Sequence, residues 1–214
     1  AFKNAGAILD TLVTSGGFSG VHNGKKYDFF KASTDINDLL KNEVINTIAI
    51  ATRHNNHAKQ VTDGLSYNKN IFVEKPLALS LDELDEINDA YQQANKAQVT
   101  RLMVGFNRRF APHVIKMKEL LESHQLPKSI IITVNAGCIP KDHWTQDSLV
   151  GGGRLIGEGC HFIDLIRFLV GHKITKFSST MMGDSPGLEI RNDKFSITLS
   201  FDDGSFGTIH YLAN

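Results

Sequence analysis

What this chain of 214 residues lacks narrows its function before any motif is read. It carries no charge excess: Lys and Arg together number 23, and so do Asp and Glu, so nothing argues for nucleic acid or an anionic membrane as a partner. Its two cysteines, Cys138 and Cys160, form no CxxC pair, which argues against a disulfide framework or a zinc knuckle. The nine histidines are scattered singly, and no metal site is expected. No apolar run approaches the ~20 residues of a membrane span, and the first residues are not those of a signal peptide. Repeats and low-complexity tracts are absent as well. These absences imply a globular protein in a reducing, cytoplasmic setting.

What is present is an alternation of apolar runs and helical patterns. Ala1–Asn4 reads as a helix end stopped by Gly6, and Ile8–Thr14 as a strand. Ser15–Lys26 is glycine-rich, with a short helix around Phe18–His22. Phe29–Ala32 is a candidate strand, and Ser33 or Thr34 can cap a helix over Asp35–Leu40. Ile45–Ala51 reads as a buried strand, followed by a polar loop, Thr52–His57, and a helix over Ala58–Tyr67. Asn70–Val73 is a further strand. Ser80 and Glu83 make a capping box ahead of a helix running to about Lys96, and Val99–Val104 closes the series. This pattern implies a parallel sheet covered by helices. A glycine-rich turn after a first strand, GxGxxG, is missing, and Gly151-Gly152-Gly153 follows no apolar strand. The expectation is therefore an α/β Rossmann-type domain over 1–106, truncated at its N-terminus.

Beyond Gly105 the character changes. Pro112 leads into a helix over His113–Glu122, Lys128–Ala136 is extended, and Gly157–Val170 is helical with an apolar side. Ile174–Met182 and Phe195–Phe201 alternate as strands, and Asp203-Gly204 reads as a hairpin turn into Ser205–Leu212. These imply an α+β domain over 107–214 with a largely antiparallel sheet, truncated at its C-terminus and left with an edge to be paired.

The stretch with most chemistry is Asn70–Pro76, NIFVEKP. The run Ile71-Phe72-Val73 has the pattern of a strand buried on both faces. Glu74 and Lys75 stand at its carboxyl end, where open α/β sheets place ligands, and Pro76 restricts Lys75 to an extended backbone. A lysine aimed there can anchor a hydroxyl, donate a proton or steer an anion; the plain alternative is a solvated lysine before a turn.

Four motifs in order, ATRHNNHA, VEKPLALSLDEL, VGFNRRFAPHV and GGGRLIGEGCHFIDLIRFLVG, resemble the Gfo/Idh/MocA family of NAD(P)-dependent oxidoreductases. The last is most similar to a branch associated with polysaccharide biosynthesis. The resemblance runs over essentially the whole chain and implies NAD or NADP as cofactor and a sugar, sugar nucleotide or cyclitol as substrate. It places Thr52, Arg53, His54 and His57 beside the dinucleotide's ribose and nicotinamide, although His57 can equally be a helix-start histidine satisfied locally. Glu74 and Lys75 match the family's EKP motif, whose lysine contacts the substrate hydroxyl and the nicotinamide ribose. An ammonium there favours the developing alkoxide of an alcohol losing hydride. Asn107, Arg108 and Arg109 are implied in substrate binding, with a structural salt bridge as the alternative for either arginine.

The sequence departs from the family pattern at Gly157, where an aspartate usually stands one helical turn before the histidine. The carboxylate at hand is Glu158, three residues before His161. His161 is then the general acid/base and Glu158 its partner, which would raise the histidine pKa; a core histidine tied to a carbonyl is the alternative. Asp164 can orient His161 or serve local packing. The residue after the second Rossmann strand, expected to be acidic for NAD, is Ser15, so the choice between NAD and NADP stays open. The leading expectation is a dehydrogenase with Lys75, His161 and Glu158 as its catalytic residues. A catalytically silent dinucleotide- or sugar-binding domain and a lyase or glycosidase that recycles NAD are the alternatives. A homo-oligomer built through the C-terminal sheet is also implied.

Overall fold

The structure is a computed structural model that describes residues 2–97, 100–123, 126–183 and 190–213. It forms two compact units, one of Ala1–Ile50, Lys59–Val73 and Asp85–Met103, the other of Ala51–Ala58, Glu74–Leu84 and Val104–Asn214. The segments that leave two strands of the first unit, 51–58 and 74–84, thus belong to the second.

In the first unit β1 (Thr11–Val13) pairs in parallel with β2 (Lys31–Ser33), joined by α1 (Gly17–Tyr27). The short helix α2 (Asn37–Leu40) starts on the carboxylate of Asp35, which accepts the Asn37 N–H at 2.9 Å; neither Ser33 nor Thr34 caps it. A separate sheet has the order β3 (Thr47–Ile50), β4 (Asn70–Val73), β5 (Leu102–Val104), with β3 and β4 parallel and α3 (His57–Ser66) between them. Val99, expected to begin β5, lies outside the described residues. Ile48, Ile50, Ile71 and Val73 are buried, as are Val61 and Leu65 of α3. Gly64 lets α3 close on the sheet, since a Cβ there would lie 2.5 Å from Cδ1 of Ile71. Full burial of β4 on both faces is not what the structure has. Phe72 is half-buried, and its ring meets Phe2 edge-on at 5.3 Å.

The helix α4 (Leu81–Ala97) begins at the expected capping box, with one difference. Ser80 Oγ accepts the Glu83 N–H at 3.2 Å, but the Glu83 carboxylate reaches back to the N–H of Leu79, at 2.6 Å, rather than to that of Ser80. Both arms still satisfy donors at the helix start.

The second unit is built on a four-stranded sheet of order β6 (Ser129–Ala136), β9 (Phe206–Ala213), β8 (Ile190–Phe201), β7 (Ile174–Gly183). The β7–β8 and β8–β9 pairs are antiparallel and β6–β9 is parallel. The period-2 alternation puts Phe195, Ile197, Leu199, Phe201, Ile209 and Tyr211 on one buried face, under Phe162, Ile166 and Val170 of α6 (Cys160–Val170). Ile166 is fully buried, so truncating it to Ala should cost about 2–5 kcal/mol. The helix α5 (Pro112–Glu122) precedes β6. The other sheet face presents exposed Ile131 and Phe206 with half-buried Thr198, Thr208 and His210. Among the described residues, no helix is long and apolar enough to cross a membrane.

Candidate active site

The lysine that follows β4 is held, not solvated. Its peptide bond to Pro76 is cis. Lys75 Nζ donates to the carbonyl of Gly157 at 2.7 Å and to Glu158 Oε1 at 3.0 Å, and its side chain is 16% exposed. An ammonium has three donors, so two bonds leave one N–H for a ligand oxygen. Gly157 and Glu158 lie in a π-helical turn, Leu155–Gly159, that leads into α6; such widened turns are common at functional sites. Burial pushes the Glu158 carboxyl up, but the hydrogen bond and charge of Lys75, with Arg154 nearby, outweigh it and hold the group below its ordinary range.

One turn on, His161 is 7% exposed, and its Nδ1 is buried with no hydrogen-bond partner among the described residues. Phe106 meets the ring edge-on at 6.3 Å. Burial, then the positive charges of Lys75 and Arg108, lower its pKa to about 4 against the weaker pull of Glu158 and Asp164. The expectation of a raised value therefore fails, because burial and the charges of Lys75 and Arg108 outweigh Glu158. Asp164 does not bond the histidine. Buried itself, it accepts two hydrogen bonds from Arg109, through Nη2 and through Nε at 2.7 Å. Arg109 thus has its carboxylate in the protein. Arg108 is exposed, with Cζ 4.6 Å from the ring centre of Phe162, and Asn107 is exposed in the 3₁₀ turn Asn107–Phe110. The Cys160 thiol between these groups is pushed up to about 11 by burial and is no nucleophile at neutral pH.

The loop after β3 completes the cluster. His57 is fully buried, Nδ1 facing the carbonyl of Pro76 at 2.7 Å and Nε2 that of Thr52 at 3.1 Å, which is the locally satisfied alternative. Thr52 and Arg53 are exposed, with the Arg53 guanidinium carbon 5.7 Å from the Trp144 ring centre. His54 Nδ1 lies 2.7 Å from the carbonyl of Gly151, so Nδ1 carries the proton and Nε2 is left with a lone pair. Burial lowers the His54 pKa, and Trp144 packs edge-on against the ring at 4.9 Å. A Cβ at Gly157 would lie 3.3 Å from Cε1 of His54, so the imidazole occupies the room into which a side chain at 157 would project. Gly152 and Gly153 adopt φ of +74° and +72°, and a Cβ at Gly151 would collide with the backbone of Thr145 at 2.4 Å. The glycine triplet is thus a turn that lets the Trp144 loop approach. Glu74 is half-buried, and Ser15 belongs to the other unit, exposed in the turn between β1 and α1.

Two residues escaped the sequence reading. Arg154 lies four residues before Glu158, a spacing that could have found it, with its guanidinium carbon 5.2 Å from the ring centre of Tyr211. Trp144, the chain's single tryptophan, had no pattern to mark it.

Fold and cluster together define an α/β unit with parallel strands and an α+β unit that carries the reactive side chains. The chain belongs to the Gfo/Idh/MocA family. A family model described as an oxidoreductase family with an NAD-binding Rossmann fold matches residues 19–106, and the family's C-terminal domain matches 114–213. An uncharacterized oxidoreductase of Bacillus subtilis, YrbE, is 31% identical over 188 residues, covering 83% of this chain and 51% of that protein. The myo-inositol 2-dehydrogenase of Thermotoga maritima is 26% identical over 182 residues, covering 84% and 53%. The chain therefore spans about half the length of these curated relatives. In fold it is similar to a levoglucosan dehydrogenase solved with NADH and levoglucosan, with a TM-score of 0.83, 22% identity, and coverage of 97% of this chain and 58% of that one.

Proposed function

We propose that the protein is an oxidoreductase that moves hydride between NAD or NADP and a hydroxyl-bearing carbon of a sugar, sugar nucleotide or cyclitol. The observation that carries this is Lys75, its ammonium fixed by Gly157 and Glu158 with one N–H to spare, next in the cluster to a neutral histidine. The name of the Thermotoga maritima relative, an inositol dehydrogenase, supports the substrate class.

The donor set fits a dinucleotide: the Thr52 hydroxyl, the exposed Arg53 guanidinium and Lys75 suit ribose hydroxyls and phosphate oxygens, and His54 and Glu74 belong to the same unit. When bound, the nicotinamide supplies the acceptor for hydride leaving the alcohol carbon. Lys75 binds the alcohol oxygen and stabilises negative charge as it develops. His161, neutral across the physiological range, accepts the hydroxyl proton on its ring nitrogen, so a ketone and one proton result. Asn107 and Arg108 position the remainder of the sugar, while Arg109 holds Asp164 and so the base of α6.

The sheet face with Ile131 and Phe206 supports assembly into a homo-oligomer, and two unpaired cysteines suit a cytoplasmic setting. Residues 1–106 and 107–214 serve as dinucleotide and substrate domains in this reading. Titration with NADH followed by fluorescence, and NAD reduction across a panel of sugars and cyclitols, test it. The expected result is NADH binding and net reduction that Lys75→Met abolishes. No binding sinks the reading, and binding with substrate conversion but no net reduction turns it toward a lyase that recycles the cofactor. Ile131→Lys should lower the mass measured by light scattering; an unchanged mass removes that face as the interface.

A further inference from the structure

We propose that the substrate of this site carries an anionic oxygen group, a carboxylate or a phosphate, which docks on the guanidinium groups of Arg108 and Arg154. The proposal rests on the oxidoreductase reading and narrows its substrate class.

Three cations act on the His161–Glu158 region: Lys75 and Arg108 on His161, and Lys75 and Arg154 on Glu158. Two carboxylates, Glu158 and Asp164, act against them on His161, and the buried Asp193 acts on Tyr211. Glu158 is bonded to Lys75, and Asp164 is taken by Arg109. Among the described residues neither Arg108 nor Arg154 has a carboxylate in ion-pair contact, whereas Arg109 has one. Each stands on an aromatic ring instead, Arg108 over Phe162 at 4.6 Å and Arg154 over Tyr211 at 5.2 Å. Those two rings are neighbours, with centroids 6.1 Å apart.

Arg154 adds an independent observation. Its Nε is buried and meets no acceptor among the described residues. A buried donor without a partner is destabilising and calls for a reason. An acceptor brought by a ligand supplies one. A guanidinium stacked on a ring keeps its in-plane N–H groups for a carboxylate or phosphate, which it can bind through two parallel bonds. A solvated arginine accounts for Arg108 taken alone, but not for the buried Nε of Arg154. A neutral sugar would bring Arg108 no carboxylate; an anion supplies one, offers an acceptor to the Nε of Arg154 and at the same time raises the proton affinity of His161.

The test is calorimetric titration of the protein with glucuronate, glucose 6-phosphate and glucose, each with and without saturating NADH. One charge-assisted contact implies that an anionic sugar binds about tenfold more tightly than glucose at low salt. The advantage should shrink as sodium chloride is added and be lost in both Arg154→Gln and Arg108→Gln. Arg108 is exposed, so its variant should fold even if that of Arg154 does not. The His161 ring, followed by NMR, should titrate higher with glucuronate bound. Whichever of glucuronate and glucose 6-phosphate gains more identifies the anion. An NADH affinity that falls in the arginine variants, with no anionic-sugar advantage in the parent, assigns the two groups to a dinucleotide phosphate and overturns the proposal. Equal affinity for glucose and the anionic sugars, including no measurable binding of any, overturns it too. A protein that fails to bind NADH yet keeps the anion preference in the titrations without it refutes the oxidoreductase reading and leaves the anion site standing.

Discussion

The ammonium of Lys75 and the carboxylate of Glu158, 83 residues apart in the chain, meet at 3.0 Å. The contact fixes the lysine on its β4 end and gives Glu158 a hydrogen bond to Lys75. It also makes Lys75 the point where the charge balance of the site is set.

Lys75→Met should lower kcat/KM by about 10²–10⁴, the range associated with losing a positioned proton donor or oxyanion stabiliser. Glu158→Gln should cost less, because it frees the ammonium without removing it. Loss of the lysine should also raise the Glu158 pKa, since its hydrogen bond and charge hold that carboxyl down. Carboxylate NMR titration of the two proteins checks this, and an unmoved Glu158 would deny the contact.

The pH dependence of stability should carry the mark of His161. Its pKa in the folded protein, about 4, lies below the ordinary 6.5, so between these values the unfolded chain binds the extra proton. Stability contributed by the neutral ring is present above pH 6.5 and is lost as pH falls toward 4, by about 3 kcal/mol at most at ~1.4 kcal/mol per pH unit. Urea unfolding from pH 7 to 4 in the parent and in His161→Gln checks it: the variant should lose part of the slope. The acid limb of kcat/KM should likewise fall well below 6.5 rather than above it.

Arg109 and Asp164 form a pair with one buried member, and breaking it should be costly while replacing both should not. Arg109→Met should destabilise by about 3–5 kcal/mol, since the buried Asp164 carboxylate is left without its cation. Arg109→Met with Asp164→Leu should recover much of that. A double-mutant cycle by thermal unfolding measures the coupling, and additive single effects would argue against a structural pair.

Gly157→Ala should move His54. The added Cβ would sit 3.3 Å from Cε1 of the ring, tight enough that the imidazole must shift from its 2.7 Å contact with Gly151. Trp144, packed on that ring and the chain's one tryptophan, should report the shift as a change in fluorescence. Gly157→Asp should give a larger change, together with repulsion from Glu158. An unchanged spectrum in both variants would show that the space is not filled by His54.

Local pattern alone determined the order of strands and helices, the Asn70–Val73 strand, the Ser80–Glu83 start of α4 and the alternation that buries Phe195, Ile197 and Leu199, because each depends on residues within a few positions of one another. The motifs likewise put the reactive residue types into the right loops. What they became was decided by tertiary contacts that no spacing encodes. Glu158, three residues from His161, bonds Lys75 instead; Asp164, three residues beyond, bonds Arg109. His57 lies between the carbonyls of Thr52 and Pro76, and burial with two cations carries His161 down instead of up. Charge interactions act through space and strengthen as water is excluded, so partner choice and proton affinity follow from the folded neighbourhood rather than from the order of residues.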